Sequence, residues 1–166
     1  MKILIFTDGT VLVFKAGIGL RREELVELSK KAAAQKEHGF VYDFANYIPQ
    51  GKAVEKLNKW KQQGATIYYL TSRKAGQQLE DIKTVLKKYN FPDAQNLHFR
   101  QQNEEYKDVA ERLMPDILIE DDCESIGGEK EMTYPYINPE VKKQIKSVVV
   151  KEFAGIDDLP DDIQQL

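Results

Sequence analysis

The sequence predicts an α/β fold in which a mainly parallel sheet of about five strands lies between two layers of helices. Short apolar runs alternate along the chain with amphipathic segments of about ten to fifteen residues, which is typical of βαβ units. The apolar runs lack the polar alternation of a half-exposed strand, so they fit strands that are buried on both faces. The chain of 166 residues fits one domain covering 1–166.

The first strand is predicted at Ile3–Phe6, where four apolar residues lead into the polar turn Thr7–Thr10. The later strands are predicted at Ala65–Leu70, Asn96–Arg100, Ile117–Ile119 and Val148–Val150. Between the first strand and the first helix, Val11–Phe14 is expected to form a short hairpin or flap beside the exit of the first strand.

Helices are predicted where apolar residues recur on one face of the segment. They are expected at Leu20–Lys36, Gly51–Gln63, Gln77–Tyr89 and Glu104–Leu113, with a short one within Pro139–Lys146. Gly64 and Pro115 are placed to end the second and fourth of these helices. The irregular stretch His38–Pro49 is rich in aromatic residues, which are expected in the core, and the acidic tail from Gly155 is expected on the surface.

Composition limits the possible functions. Charged residues make up 31% of the chain and the net charge is −3, which gives no electrostatic reason to expect a nucleic-acid partner. No apolar run approaches the ~20 residues that cross a bilayer, and the apolar start ends too soon for a signal peptide. Cys123 is the single cysteine, so no disulfide can form within the chain, and a cytoplasmic setting is predicted.

Polar side chains follow three of the predicted strands, and the carboxyl ends of parallel strands meet at one edge of a sheet. These residues are Thr7, Asp8 and Thr10, then Thr71, Ser72 and Arg73, and then Glu120, Asp121 and Asp122; Lys107 lies on the helix before the last group. Carboxylates at this density suit Mg²⁺, and hydroxyls with a lysine suit phosphate oxygens. We therefore expect a site for Mg²⁺ and a phosphate group at this edge.

This ordered set resembles the motifs of the haloacid dehalogenase (HAD) superfamily of phosphatases, and specifically its acid-phosphatase-like branch. In that family the first strand ends in Asp-x-Asp-Gly-Thr, the second in Thr or Ser, a Lys follows, and a later strand ends in paired acids. The counterparts here are Phe6–Thr10, Thr71, Lys107 and Glu120–Asp122. The stretch from Ile48 to Arg73 also looks like the corresponding part of that branch, and the resemblance spans about residues 1–150.

The resemblance implies a Rossmann-like three-layer sandwich and a Mg²⁺-dependent phosphomonoesterase. It implies catalytic roles for Asp8 and Lys107, substrate contacts by Thr10, Thr71, Ser72 and Arg73, and metal contacts by Asp8, Glu120, Asp121 and Asp122. The family's acidic pair corresponds either to Glu120 and Asp121 or to Asp121 and Asp122. The ligand would be a phosphorylated small molecule or a phosphate group carried by a protein.

The first motif departs from the family pattern. Aligned on Asp-Gly-Thr, Phe6 takes the place of the nucleophilic aspartate, and Asp8 takes that of the general acid and base. In a second alignment the motif loses two residues and Asp8 becomes the nucleophile, without its acid partner. Two functions follow: a phosphatase with an altered motif, or a non-catalytic protein that binds phosphate or metal.

The segment 11–50 is predicted to hold a flap, one helix and an aromatic loop in place of a large cap domain. A site so lightly covered would admit a bulky substrate or a protein-borne phosphate. His38, His98 and Cys123 are interpreted as structural or surface residues, since no Cys/His cluster suits zinc and the acids beside Cys123 oppose thiolate formation.

Overall fold

The computed structural model describes residues 1–35, 39–74 and 76–166. Its central feature is a five-stranded sheet in which every neighbouring pair of strands is parallel. The strands lie in the order β5 (Leu97–Phe99), β4 (Thr66–Thr71), β1 (Lys2–Phe6), β6 (Ile117–Asp121) and β7 (Lys146–Val150). The predicted α/β fold with a parallel sheet is thus confirmed, and the first strand of the chain is the middle strand of the sheet.

The central strand β1 is buried on both faces because helices cover both sides of the sheet. Ile3 and Ile5 pack in a large apolar cluster on one face, and Leu4 packs in a second cluster on the other. Successive side chains of a strand point to opposite faces, so this alternation follows from the unbroken apolar run.

The helices are α1 (Arg22–Gln35), α2 (Ala53–Gln62), α3 (Gln77–Lys88), α4 (Tyr106–Leu113) and the short α5 (Pro139–Lys142). Side chains of α1, α2 and α3 join the larger cluster, whereas Val109 and Ala110 of α4 join the smaller one. Gly64 follows α2 with φ +93°, a conformation that favours glycine, which confirms its predicted place after that helix. Lys36, the predicted end of the first helix, and His38 lie outside the described residues.

A second, two-stranded sheet forms beside the exit of β1, and it differs from the local hairpin that we expected there. β2 (Leu12–Phe14) pairs antiparallel with β3 (Tyr47–Pro49), which lies more than thirty residues later in the chain. Phe14 and Tyr47 are both buried and their rings meet at 6.5 Å. Long-range aromatic packing therefore holds β2, and the local turn residues do not decide its partner.

The C-terminal tail was predicted on the surface, and the structure corrects this. Ile156, Ile163 and Leu166 are buried in the larger apolar cluster. The indole N–H of Trp60 on α2 donates to the Pro160 carbonyl over 2.9 Å. The three apolar residues are enough to hold this segment against α2, although its many acidic residues predict a solvent-exposed tail. No helix of the described residues is long and apolar enough to span a bilayer.

Candidate active site at the carboxyl edge of the sheet

Asp8 lies just beyond the end of the central strand, in a tight turn that Gly9 permits. Gly9 has φ +80° and donates its backbone N–H to the Leu12 carbonyl over 3.0 Å. A Cβ atom on Gly9 would lie 3.0 Å from Asp121 Oδ2 and 3.2 Å from Glu152 Cγ. The glycine thus supplies a positive φ and also lets two acidic side chains approach the turn closely.

The carboxylate of Asp8 has two oxygens in very different surroundings. Its Oδ2 accepts hydrogen bonds from the hydroxyls of Thr71 at 3.1 Å and Ser72 at 3.4 Å. These residues lie close to Asp8 because β4, which ends at Thr71, pairs in parallel with β1. The hydroxyl of Thr7 also donates to Oδ2, over 3.1 Å. Asp8 Oδ1 is buried and has no hydrogen-bond partner among the residues that the structure describes. The site therefore fixes one oxygen and leaves the other free to meet a ligand.

Phe6 stands at the last position of β1, where the HAD motif would place its first aspartate. Its ring meets that of Tyr106 edge to face, with centroids 5.3 Å apart, and both rings belong to the smaller apolar cluster. This position thus supplies apolar packing and offers no carboxylate.

The predicted acidic run at the end of β6 divides into three different environments. Asp121 Oδ2 accepts the Thr10 hydroxyl at 2.8 Å, and its Oδ1 accepts the Cys123 N–H at 2.9 Å. Burial raises the pKa of the Asp121 carboxyl to about 7, although these two hydrogen bonds act to lower it. Asp121 lines the same cavity as Asp8, so the structure brings these two predicted residues together.

Glu120 points away from Asp121, as alternation along a strand requires. Its carboxylate oxygens accept the backbone N–H groups of Thr133 and Tyr134 at 2.7 and 2.9 Å. Burial raises the pKa of Glu120, although these hydrogen bonds oppose the rise. Glu120 thus anchors the long loop after β6 and does not line the cavity around Asp8.

Asp122 is held at the surface side of the sheet edge. It pairs with Lys151 at 2.9 Å and accepts the Glu152 N–H at 3.0 Å. Burial raises the pKa of Asp122, but these two partners outweigh it and hold the pKa below its usual value. The negative charge of Asp122 is therefore already balanced by Lys151.

Ser72 and Arg73 form the rim of the cavity around Asp8. The Arg73 guanidinium donates through Nε to the Ser72 hydroxyl over 3.1 Å, and its central carbon lies 4.4 Å from the centre of the Phe44 ring. Stacking of this kind positions an arginine without neutralising it. Arg73 is the one cationic side chain among the described residues that line this cavity of about 180 Å³.

Lys107 and Thr10 lie apart from the Asp8 cavity. Lys107 forms an ion pair with Glu105 at 2.7 Å and lines a neighbouring cavity on the far side of Tyr106. Thr10 is fully buried, and its hydroxyl is bound to Asp121. The structure thus gathers Asp8, Ser72, Arg73 and Asp121 around one cavity, with Thr71 directly behind Asp8.

Few acidic side chains around the Asp8 cavity could hold Mg²⁺. The described residues contain no group of three or more His, Cys, Asp or Glu side chains placed to share an ion. Mg²⁺ nevertheless commonly takes only one or two carboxylates and completes its shell with water and substrate phosphate. Asp8 and Asp121 line the cavity and meet that smaller requirement, although each oxygen of Asp121 already accepts one hydrogen bond, whereas Glu120 and Asp122 do not line it.

Sequence reasoning missed Glu152, which also lines the Asp8 cavity. It accepts both the hydroxyl and the backbone N–H of Ser125, at 2.7 and 2.6 Å, and burial raises its pKa. Glu152 follows the strand β7 by two residues, so the signal that identified the other strand ends was present here too. Cys123 also lines the cavity, and burial together with the neighbouring Asp121 raises its thiol pKa.

No protein-family model matches this sequence, and no curated protein matches it. The fold, however, is similar to that of solved structures of the class C acid phosphatase from Bacillus anthracis. The form with tungstate bound aligns with 15% identity and a TM-score of 0.57, covering 93% of this chain and 68% of that one. A second structure of that phosphatase aligns with 14% identity and the same TM-score of 0.57, covering 93% of this chain and 67% of the other.

The HAD domain of the effector protein Lem4 from Legionella pneumophila, an inactive mutant, aligns with 12% identity over 91% of this chain and 85% of that domain. Its TM-score of 0.47 is too low to support an argument. Because the two acid phosphatase structures are only 15% and 14% identical in sequence to this chain, their similarity establishes the fold alone. The chain therefore has an α/β fold similar to that of these acid phosphatases.

Proposed function

We propose that this chain is a Mg²⁺-dependent phosphomonoesterase in which Asp8 is the central carboxylate. The observation that carries the proposal is the asymmetry of Asp8, whose Oδ2 is held by Thr71 and Ser72 while Oδ1 is buried without a partner. One fixed and one free oxygen is the arrangement that a carboxylate nucleophile needs. The similarity in fold to an acid phosphatase supports the same reaction class.

In this proposal Asp8 Oδ1 attacks the phosphorus atom, forming an acyl phosphate and breaking the bond to the ester oxygen. The departing oxygen takes a proton from water, and hydrolysis of the acyl phosphate by a second water releases phosphate and restores Asp8. Ser72 and Arg73 would hold phosphate oxygens at the rim. Mg²⁺ held by Asp121 and by phosphate oxygens of the substrate, beside Asp8, would supply positive charge that offsets the repulsion between carboxylate and phosphate.

The light cover of the site bears on the class of substrate. Val41, Tyr42 and Phe44 line the outer part of the cavity beside Arg73. A phosphorylated small molecule with an apolar body, or a phosphate group on a protein, would place its ester oxygen near Asp8 and its body against these side chains.

A second candidate function is non-catalytic binding of a phosphorylated ligand, and Phe6 is the observation that favours it. Its ring removes one of the two carboxylates that the phosphatase motif uses. Without an acid partner, departure of a poor leaving group is slow. In that case the fold and the Asp8 cavity would serve recognition.

Turnover of a broad phosphomonoester panel, with and without Mg²⁺, separates the two functions. Asp8→Asn should abolish turnover under the first proposal, and Asp81→Asn on α3, which lines neither cavity of the site, is the matched control. Rapid quenching at low substrate should trap phosphate on Asp8. An absence of turnover in the wild-type protein would instead favour the binding function. A Phe6→Asp variant that gains Mg²⁺-dependent turnover would then show that only the missing carboxylate prevents catalysis.

A further inference from the structure

A second cavity of about 240 Å³ lies beside the Asp8 cavity. It is enclosed by the end of β5, the start of α4 and the loop around residues 130–136. Three cationic side chains line it: Arg100, Lys107 and Lys130. The carboxylates of Glu105 and Glu131 also line it, so its cationic side chains outnumber its acidic ones.

Arg100 is the unusual residue of this cavity. Its guanidinium carbon lies 3.9 Å above the centre of the Tyr106 ring, and its buried Nε has no hydrogen-bond partner in residues 1–35, 39–74 and 76–166. Within the described part of the chain, no carboxylate forms an ion pair with Arg100 or with Lys130. A buried donor that lacks an acceptor loses the hydrogen bonds it had in water, so an acceptor that enters the cavity is favoured.

Tyr106 and Glu131 line both this cavity and the Asp8 cavity, so the two cavities adjoin. One side of the Tyr106 ring meets Phe6, and Arg100 lies over its face. Stacking on the ring fixes the plane of the guanidinium, which leaves less rotational freedom to lose when a ligand binds. The planar fork of an arginine donates two parallel hydrogen bonds to an oxyanion, and a nearby ammonium group adds charge.

We propose that this cavity is a phosphate-binding site centred on Arg100, with Lys130 and Lys107 as supporting cations. It takes a phosphate group, either as the free ion or as part of an ester. Lys107 contributes less than the other two cations because Glu105 already neutralises it. Its three cationic side chains do not line the adjoining Asp8 cavity, and the proposal does not depend on the phosphatase function.

The test is a titration with inorganic phosphate at constant ionic strength, without divalent metal, followed through the side-chain N–H signals of arginine in ¹⁵N NMR spectra. The Arg100 Nε–H signal, assigned by its loss in Arg100→Lys, should shift and saturate. Arg100→Gln should weaken phosphate binding by at least about tenfold, which corresponds to about 1.4 kcal/mol. Phenyl phosphate titrated in parallel distinguishes the free ion from an ester, because an ester-binding site prefers it to inorganic phosphate.

Lys88→Gln is the matched control. Lys88 also lies over an aromatic ring, that of Tyr89, at 5.1 Å, but it is the last residue of α3 and does not line the proposed site. It should leave phosphate binding unchanged. A shift that grows without saturating, or an Arg100→Gln protein that is folded and binds phosphate as the wild type does, would overturn the proposal. Should Arg100→Gln fail to fold, Lys130→Gln decides instead: weaker binding supports the site, and unchanged binding refutes it.

Discussion

The hydroxyl of Thr10 donates a hydrogen bond of 2.8 Å to Asp121 Oδ2, and both side chains are buried. This bond joins the turn after the central strand to the end of the neighbouring strand β6, where polar residues of the two strands meet. It is therefore a sensitive point for both the stability of the fold and the charge of the site.

We expect Thr10→Val to destabilise the protein by about 1–3 kcal/mol, because a buried carboxylate oxygen loses its donor. The measurement is urea unfolding at neutral pH. Thr66→Val on β4 is the control, since its hydroxyl has no partner within the described residues and the change should stay within about 0.5 kcal/mol. Equal stability of the Thr10→Val protein and the wild type would contradict this account.

The buried carboxyl of Asp121 predicts a specific pH dependence of stability. Burial raises its folded-state pKa to about 7, from the ordinary value of about 4 for an aspartate in the unfolded chain. Between these two pH values the folded state holds more protons than the unfolded state, so the free energy of unfolding falls as the pH rises from about 4 to about 7. The fall should be on the order of a few kcal/mol at most.

The measurement for Asp121 is the difference in unfolding free energy between the wild type and Asp121→Asn across this range. Other buried acids, such as Glu152, titrate in both proteins and largely cancel in the difference. The wild type should lose stability relative to the variant as the pH rises. Two parallel pH curves would show that Asp121 does not titrate in this window.

Cys123 should be an unreactive thiol. Burial and the acids around it, Asp121 first, raise its pKa, so little thiolate forms near neutral pH. Alkylation by iodoacetamide at pH 8 should be much slower in the folded protein than in the urea-unfolded chain, which serves as the internal control. A folded protein that reacts as fast as the unfolded one would refute this description of the thiol.

Glu120 should hold the loop after β6 in place. Glu120→Gln removes one of its two acceptors, so the backbone amides of Thr133 and Tyr134 should exchange with deuterium faster. Hydrogen exchange with residue resolution measures this, and Glu129→Gln on the exposed part of the same loop is the control. Unchanged exchange at both amides would mean that other contacts fix the loop.

The sequence predicted that Asp8 would meet Thr71 and Ser72, because parallel strands end at one edge. It did not predict that Lys107 lies in another cavity. Successive residues of a helix point about 100° apart, so once Tyr106 packs against Phe6, Lys107 is turned away. Packing of an aromatic ring decided the direction of the lysine, and the spacing of motifs carries no such information.

For the acidic residues at the end of β6, too, the sequence predicted one part of the arrangement and the tertiary structure decided the rest. The sequence identified Glu120, Asp121 and Asp122 as a group, and alternation along a strand separates the first two. Which of them faces Asp8, which anchors a loop and which pairs with Lys151 depends on segments far away in the chain. Arg100 also reaches its cavity through contacts that no local pattern predicts.

By itself the sequence determined the α/β fold, the central place of the first strand and the edge at which the polar residues meet. These follow from hydrophobic periodicity and from the parallel arrangement of strands, which are properties of short segments. Only the tertiary structure decided that Asp8 keeps one oxygen unpartnered, that the Asp121 pKa is raised and that Arg100 lacks an acceptor. Burial and hydrogen-bond partners belong to a folded neighbourhood, because side chains from several elements must meet before water is excluded.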